Sequence, residues 1–340
     1  MFRASDGQWA TTISADADLA RAILGPNGEH VLALERDSGA TIVSPRDGPL
    51  FQGPADLGVR PAIGEILVRS PDPAAVALGR AKLESLADAA LDGPALPHTH
   101  FVGFPLCLRD DTVPNAIRAL RAETLAAASP SERVHASDFV EPGRANVQLC
   151  ALKLCSDERR RAARSATEAA RRAATLAMRI DTEGAEGAVG AEGVGTPIPP
   201  PLRARIAGLR CARGDEYGDP DPDPSDVDVV YLDARDPDED PNARGRLTRV
   251  CEAIVGAYRD AGLLTRRDDA AVAVRPRCVV MDARGRADGG GGMDATETMR
   301  RSGGTDCGDA VLDEVHLSKL GEFDVALGGY YRCEASAKLS

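Results

Sequence analysis

Two glycines three positions apart, Gly25 and Gly28, interrupt a run of helical apolar spacing near the start of the 340-residue chain. Glycine tolerates the positive φ that other residues resist, so the pair turns a helix rather than prolonging it. Upstream, Trp9-Ala-Thr-Thr-Ile-Ser14 alternates as a strand does, and Asp16 or Asp18 can cap a helix beginning near Leu19. Downstream, Val31, Leu32 and Leu34 resume the stripe as far as Gly39, and strands are expected at 40–43 and 65–68. Pro73 then opens a helix carrying Val76, Leu78, Leu83 and Leu86. The spacing therefore predicts an α+β unit of order βααββα over residues 9–93.

The Pro-rich stretch Pro94-Ala-Leu-Pro97 predicts a linker at 94–99 and a second unit over 100–340. That unit reads as a strand from His100, a helix over 113–128, a strand over 145–154 and a helix over 156–179. Strands at 202–209 and 227–234, a helix at 247–261, a strand at 271–281 and a last strand at 329–338 complete it. The Gly/Ala/Pro-rich stretches near 181–200 and 283–309 lack periodicity and are expected to be mobile insertions. Two domains suit the length. Aromatics make up only 4% of the residues, so the cores must be built from small aliphatics.

No apolar run approaches the ~20 residues that span a bilayer, and no signal peptide is expected, so a membrane partner is not expected. The eight cysteines form no C-x-x-C pair and read as reduced, buried side chains of an intracellular protein. His98-Thr-His100 has the look of metal ligation, but no third or fourth ligand is signalled, so neither metal nor cofactor is expected. The remaining histidines, His30, His135 and His316, read as ordinary solvated or core side chains. Net charge is -12 but uneven: residues 151–180 carry 8 basic and 3 acidic side chains, and residues 211–245 carry 3 basic and 12 acidic. The basic run, with Arg159, Arg160, Arg161, Arg164, Arg171, Arg172 and Arg179, reads equally as a solvated helix face or a phosphate-facing one.

Ile23-Leu24-Gly25-Pro26-Asn27-Gly28 within helix-turn-helix resembles a type I K-homology (KH) domain. The resemblance implies that Ile23, Gly25, Pro26, Asn27 and Gly28 approach a single-stranded RNA backbone. Pro26 and Asn27 carry no charge, and residues 1–95 hold 8 basic against 13 acidic side chains. RNA binding there is expected to be weak, and a protein-interaction role for the KH unit stays open.

In the second unit, His98-Thr-His-Phe-Val-Gly-Phe-Pro-Leu106, Val227-Asp-Val-Val-Tyr231, Val279-Val-Met-Asp282 and Gly329-Tyr-Tyr-Arg-Cys-Glu-Ala-Ser336 resemble the 2H phosphoesterase domain of the A-kinase anchor protein 7 type. This implies a two-lobed 2H-phosphoesterase-like (LigT-like) domain with two H-x-T or H-x-S motifs facing each other. KH followed by that domain resembles the activating signal cointegrator 1 complex subunit 1 family. That family implies a nuclear complex containing a helicase, concerned with transcription coactivation and DNA repair.

In such domains one imidazole serves as general base and the other as general acid. Here the motif positions read Asn146-Val-Gln148 and Arg277-Cys-Val279, and a slip by two gives Arg275-Pro-Arg277. No register restores a histidine. Asn146, Gln148, Arg275 and Arg277 remain as candidates for holding phosphate without cleaving it. The sequence thus predicts a non-catalytic RNA-binding adaptor, with Arg160, Arg161 and Arg164 supplying salt-dependent affinity. The alternative is a phosphodiesterase with relocated acid and base, drawing on His100 or His135.

Overall fold

The computed structural model describes residues 1–4, 6–25, 27–44, 64–128, 132–185, 200–214, 222–237, 245–266, 274–286 and 292–339. These form two compact units. The first comprises residues 1–99, 153–163 and 265–267, and the second comprises 100–152, 164–264 and 268–340.

The first unit runs β1 (Phe2–Arg3), β2 (Trp9–Ser14), α1 (Ala17–Leu24), α2 (Val31–Ser38), β3 (Thr41–Val43), β4 (Glu65–Ser70) and α3 (Pro73–Asp92). The strands form one antiparallel sheet in the order β1-β2-β4-β3. Local chemistry sets the helix starts: the Asp16 carboxylate accepts from Leu19 N at 3.0 Å, and the Asp72 carboxylate accepts from Ala74 N at 2.9 Å, ahead of Pro73. One core of Leu19, Ile23, Leu24, Leu34, Ile66, Val68, Val76 and Leu83 joins helices to sheet. The expected linker at 94–99 is part of this unit, because Leu96 is buried in that core and Thr99 Oγ1 accepts from Leu154 N. The 153–163 segment is held in the same unit by Lys153, whose Nζ donates to the Leu91 and Gly93 carbonyls at 2.8 and 2.6 Å and so caps the end of α3.

The second unit contains β5 (His100–Pro105), α4 (Thr112–Ala127), β6 (Asn146–Leu152), α5 (Asp157–Ala185, from Arg164 onward), β7 (Arg203–Ala212), β8 (Val229–Arg235) and α6 (Arg246–Asp260). It continues with β9 (Arg277–Asp282), α7 (Thr296–Ser302), β10 (Asp306–Val311), β11 (Glu314–Asp324) and β12 (Tyr330–Lys338). Its strands form one curled antiparallel sheet of eight, in the order β10-β7-β8-β9-β6-β5-β11-β12. The two lobes implied by the resemblance are here two four-stranded halves of that sheet, which join where β6 meets β9, at the one register pair Gln148↔Arg277. Beyond it β9 takes a different neighbour: Phe139 bridges Met281, and Val140 N donates to the Val280 carbonyl.

Three further expectations are corrected. Residues 283–309 are not an aperiodic insertion where described: Met293 pairs with Val227, and α7 and the start of β10 follow. The strand expected from 271 begins at Arg277, with 267–273 outside the described residues. The eleven-residue β11 was not anticipated at all, although it lies between β5 and β12. Of the stretch 181–200, the first residues extend α5 to Ala185, and 186–199 lie outside the described residues.

Candidate functional site

Cross-strand partners in an antiparallel sheet point to the same face, so register alone places the motif residues. A row runs Asp233↔Arg277↔Gln148↔Gly103↔His316↔Ser336 across β8, β9, β6, β5, β11 and β12. Asn146 and Val279 lie two residues along from Gln148 and Arg277 and share their face. The two segments expected to be degenerate motifs therefore meet at the join between the halves of the sheet.

On the β9 side, the Arg277 guanidinium lies 5.6 Å from the Tyr231 ring, and Tyr231 packs with Ala212, Val229 and Val279. Burial, aided by Asp233, pushes the Tyr231 phenol up, while Arg277, Arg275 and Arg210 pull the other way. Three cations therefore gather near this ring, and one carboxylate, Asp233, accompanies them. Asp233 is 3.4 Å from Arg210 Nε. Arg275 is exposed and precedes the strand, so Arg277 is the motif residue that the sheet holds in register. On the β6 side, Asn146 Nδ2 donates to the Arg144 carbonyl at 3.0 Å, and Asn146 Oδ1 is buried without a hydrogen-bond partner among the described residues. Gly103 is obligatory here: a Cβ on it would lie 2.6 Å from the Val147 carbonyl oxygen, at the register shift between β5 and β6.

No imidazole stands at the join. His100 pairs with Leu152, four residues along β6 from Gln148, which is about 13 Å at the strand rise. Its Nε2 lies 3.4 Å from Glu334, which also meets Arg164 at 3.2 Å. Burial works against ionising Glu334, yet His100 and Arg164 outweigh it and hold its carboxyl below the usual range. His135 is exposed at the head of the short 3-10 turn Ala136–Asp138, where its backbone N–H donates to Asp138 Oδ2 at 2.7 Å. His316 is two strands from Gln148 in the same row and buried, with its ring 5.9 Å from that of Tyr330. Burial pushes its imidazole below the ordinary range, against the pull of Glu314. His316-Leu-Ser318 has the literal H-x-S spacing, a signal the sequence offered but whose strand went unread.

The other expected RNA-contacting residues are distributed differently. Gly25 and Gly28 have φ of +84° and +72°, as a tight turn requires, and Asn27 is exposed. Pro26 lies outside the described residues. Ile23 is corrected from contact residue to core: it is fully buried, and its carbonyl faces His30 Nδ1 at 3.0 Å. Glu29 lies over the turn: a Cβ added at Gly25 would be 2.6 Å from its Cγ and 3.3 Å from its carboxylate Oε1. That arrangement opposes a phosphate backbone.

The arginines of α5 are engaged within the chain. Arg160 binds Asp157 Oδ1 at 2.6 Å and the Leu154 carbonyl at 3.1 Å, Arg161 Nε donates to the Asp157 carbonyl, and Arg164 meets Glu334. Arg159 Nε donates to the Lys153 carbonyl, and burial holds its guanidinium below its ordinary range. Arg160 also lies near Asp16, at the start of α1, whereas the Gly25–Gly28 turn follows its end, about 12 Å away along an eight-residue helix. The two sets of expected contacts are thus not brought together. Among the described residues no cluster of three or more His, Cys, Asp or Glu could hold a metal ion, and no helix is long and apolar enough to cross a membrane.

A family model described as the AKAP7 2'5' RNA ligase-like domain matches residues 98–339. A search of curated proteins found no significant match.

Proposed function

Because the chain belongs to the AKAP7 2'5' RNA ligase-like family over residues 98–339, we propose that it is a member that holds a phosphate-bearing RNA end at the β6–β9 join without cleaving it. A 2H phosphoesterase-like domain is present. The observation that carries it is the side-chain set at the join: Asn146 and Gln148 on one strand, Arg277 and Val279 on the other. Amide and guanidinium groups bind phosphoryl oxygens but do not shuttle protons near neutral pH. A general acid or base contributes about 10²–10⁴ in rate, so replacing both removes on the order of 5–11 kcal/mol of barrier lowering. Of the groups that could have taken over, His100 is engaged with Glu334 and His135 is exposed at a turn outside the strands of the join.

The first unit is read as a KH domain because, after the short edge strand β1, its order βααββα and its sheet order suit that fold and Gly25–Gly28 joins the two helices. Its affinity for RNA is small, since Glu29 and an uncharged turn face the strand. A nuclear setting beside a helicase-containing coactivator complex follows from the resemblance to the signal cointegrator family and is part of the same proposal.

The test is a titration of the full chain against single-stranded RNA ending in a cyclic phosphate, with turnover assayed in parallel. Binding without turnover is expected. Arg277→Ala should weaken binding and reduce the salt slope by about 1. Hydrolysis above background by wild type, abolished by His316→Asn, would overturn the proposal.

A further inference from the structure

Arg144, Phe323 and Tyr331 come from distant parts of the second unit and meet beside the join. Arg144 closes the 3-10 turn Pro142–Arg144, two residues before Asn146, and its carbonyl is held by the Asn146 amide. Its guanidinium carbon lies 3.5 Å from the centroid of the Phe323 ring. That ring is 5.5 Å from Tyr331, tilted by 45°, and Tyr331 stands edge-on to Phe101 at 4.9 Å. The series runs from the core to the surface: Phe101 is 1% exposed, Tyr331 half-buried and Phe323 43% exposed.

Two features of this series are left over by the fold. A phenylalanine at the open end of an aromatic series keeps apolar surface in water. The Arg144 guanidinium has neither ion pair nor hydrogen bond among the described residues, whereas Arg160, Arg164, Arg171 and Arg286 are each tied to a carboxylate. Its charge rests on a ring while its N–H edge stays unspent. Burial pushes the Tyr331 phenol up against the pull of Arg144, so the hydroxyl keeps its proton at neutral pH. A planar cation on an exposed aromatic ring, anchored by further rings, is the surface on which unpaired bases stack, and a guanidinium edge is complementary to phosphate.

We infer that Arg144, Phe323 and Tyr331 form a nucleobase-stacking subsite for single-stranded RNA whose neighbouring phosphate lies at the Gln148–Arg277 join. The inference rests on the phosphate-holding reading above and adds what the adjacent nucleotide touches. The occupant is a base rather than a protein segment because the exposed ring carries a guanidinium plane beside a join that holds a further guanidinium, the pairing that suits a base and its phosphate. A protein partner would need a broad apolar centre.

The experiment uses the full chain and a short oligoadenylate carrying one 2-aminopurine, whose fluorescence is quenched on stacking, alongside an abasic strand of equal length. Wild type should quench the probe and bind the base-bearing strand about tenfold more tightly than the abasic one. Phe323→Leu, at an exposed position, should abolish the quenching and that advantage while leaving the abasic affinity unchanged. Arg277→Ala should weaken both strands. If Phe323→Leu quenches and binds as wild type does while Arg277→Ala fails, the stacking subsite is overturned and the phosphate reading stands. If neither strand binds wild type, both are overturned.

Discussion

The Asp138–Arg286 pair offers a sharp test of how the join is held. Both side chains are almost wholly buried, at 1% and 8% exposure. Arg286 forks onto the carboxylate at 2.8 and 2.6 Å and also donates to the Arg133 carbonyl, while Asp138 accepts from His135 N at 2.7 Å. The pair fastens the segment whose Phe139 lies beside Met281 on β9. Removing one partner leaves the other charge buried and unanswered, which costs about 3–5 kcal/mol, whereas replacing both with apolar groups of similar volume is often close to neutral. Arg286→Met and Asp138→Leu are therefore each expected to destabilise by about 3–5 kcal/mol, and the double variant by less than either. For a unit of this size that is a fall of roughly 6–20 °C in Tm for each single change. The chain supplies its own control: Trp9, the sole tryptophan, is in the first unit, and all five tyrosines are in the second. Urea unfolding followed by tyrosine signals in near-ultraviolet circular dichroism should move, and the Trp9 transition should not. Single variants that cost under about 1 kcal/mol, or a double variant that costs the sum of the two, would refute the reasoning.

Three other outcomes follow from the same geometry. Burial depresses the His316 imidazole, so the folded chain binds a proton less readily than the unfolded one. Stability should fall as pH drops below about 6.5, and His316→Phe should remove that dependence in denaturation measured across pH. Gly103→Ala should lower stability by about 1–3 kcal/mol, because its Cβ meets a backbone carbonyl that cannot swing aside; an unchanged urea midpoint would contradict this. Added to the full Arg277→Ala chain, Glu29→Gln should strengthen the remaining RNA binding severalfold at low salt, read by titration; no change would count against the Gly25–Gly28 turn as an RNA contact.

The first unit was legible because each of its signals is local. Asp16, Asp72 and Pro73 act within a few residues, and Gly25 and Gly28 show their need for positive φ in the sequence itself. The second unit was legible where alternation is clean and obscure where glycine misleads. Gly292 looked like part of a mobile tract, yet a Cβ there would lie 2.7 Å from the Val227 carbonyl, so the glycine serves close backbone approach. The same tract also contains α7 and the start of β10. The motif positions could be read from register, but the aromatic series could not, since Arg144 and Phe323 are separated by most of the unit. Counting charges also overstated α5: its arginines are numerous, but Asp157, Glu168 and Glu334 answer several of them.

The single Gln148↔Arg277 pairing has a consequence for how such a molecule changes over generations. Each half of the sheet is stitched internally along whole strands, as in the six pairs between β5 and β6, while the halves share one rung. Pairing at that rung is a backbone matter, so a change of side chain there leaves the ladders on either side in register. The residues proposed to hold phosphate sit at that single rung. A chain built this way can trade cleavage for retention of a ligand by a few substitutions and remain, in its folding, the same object.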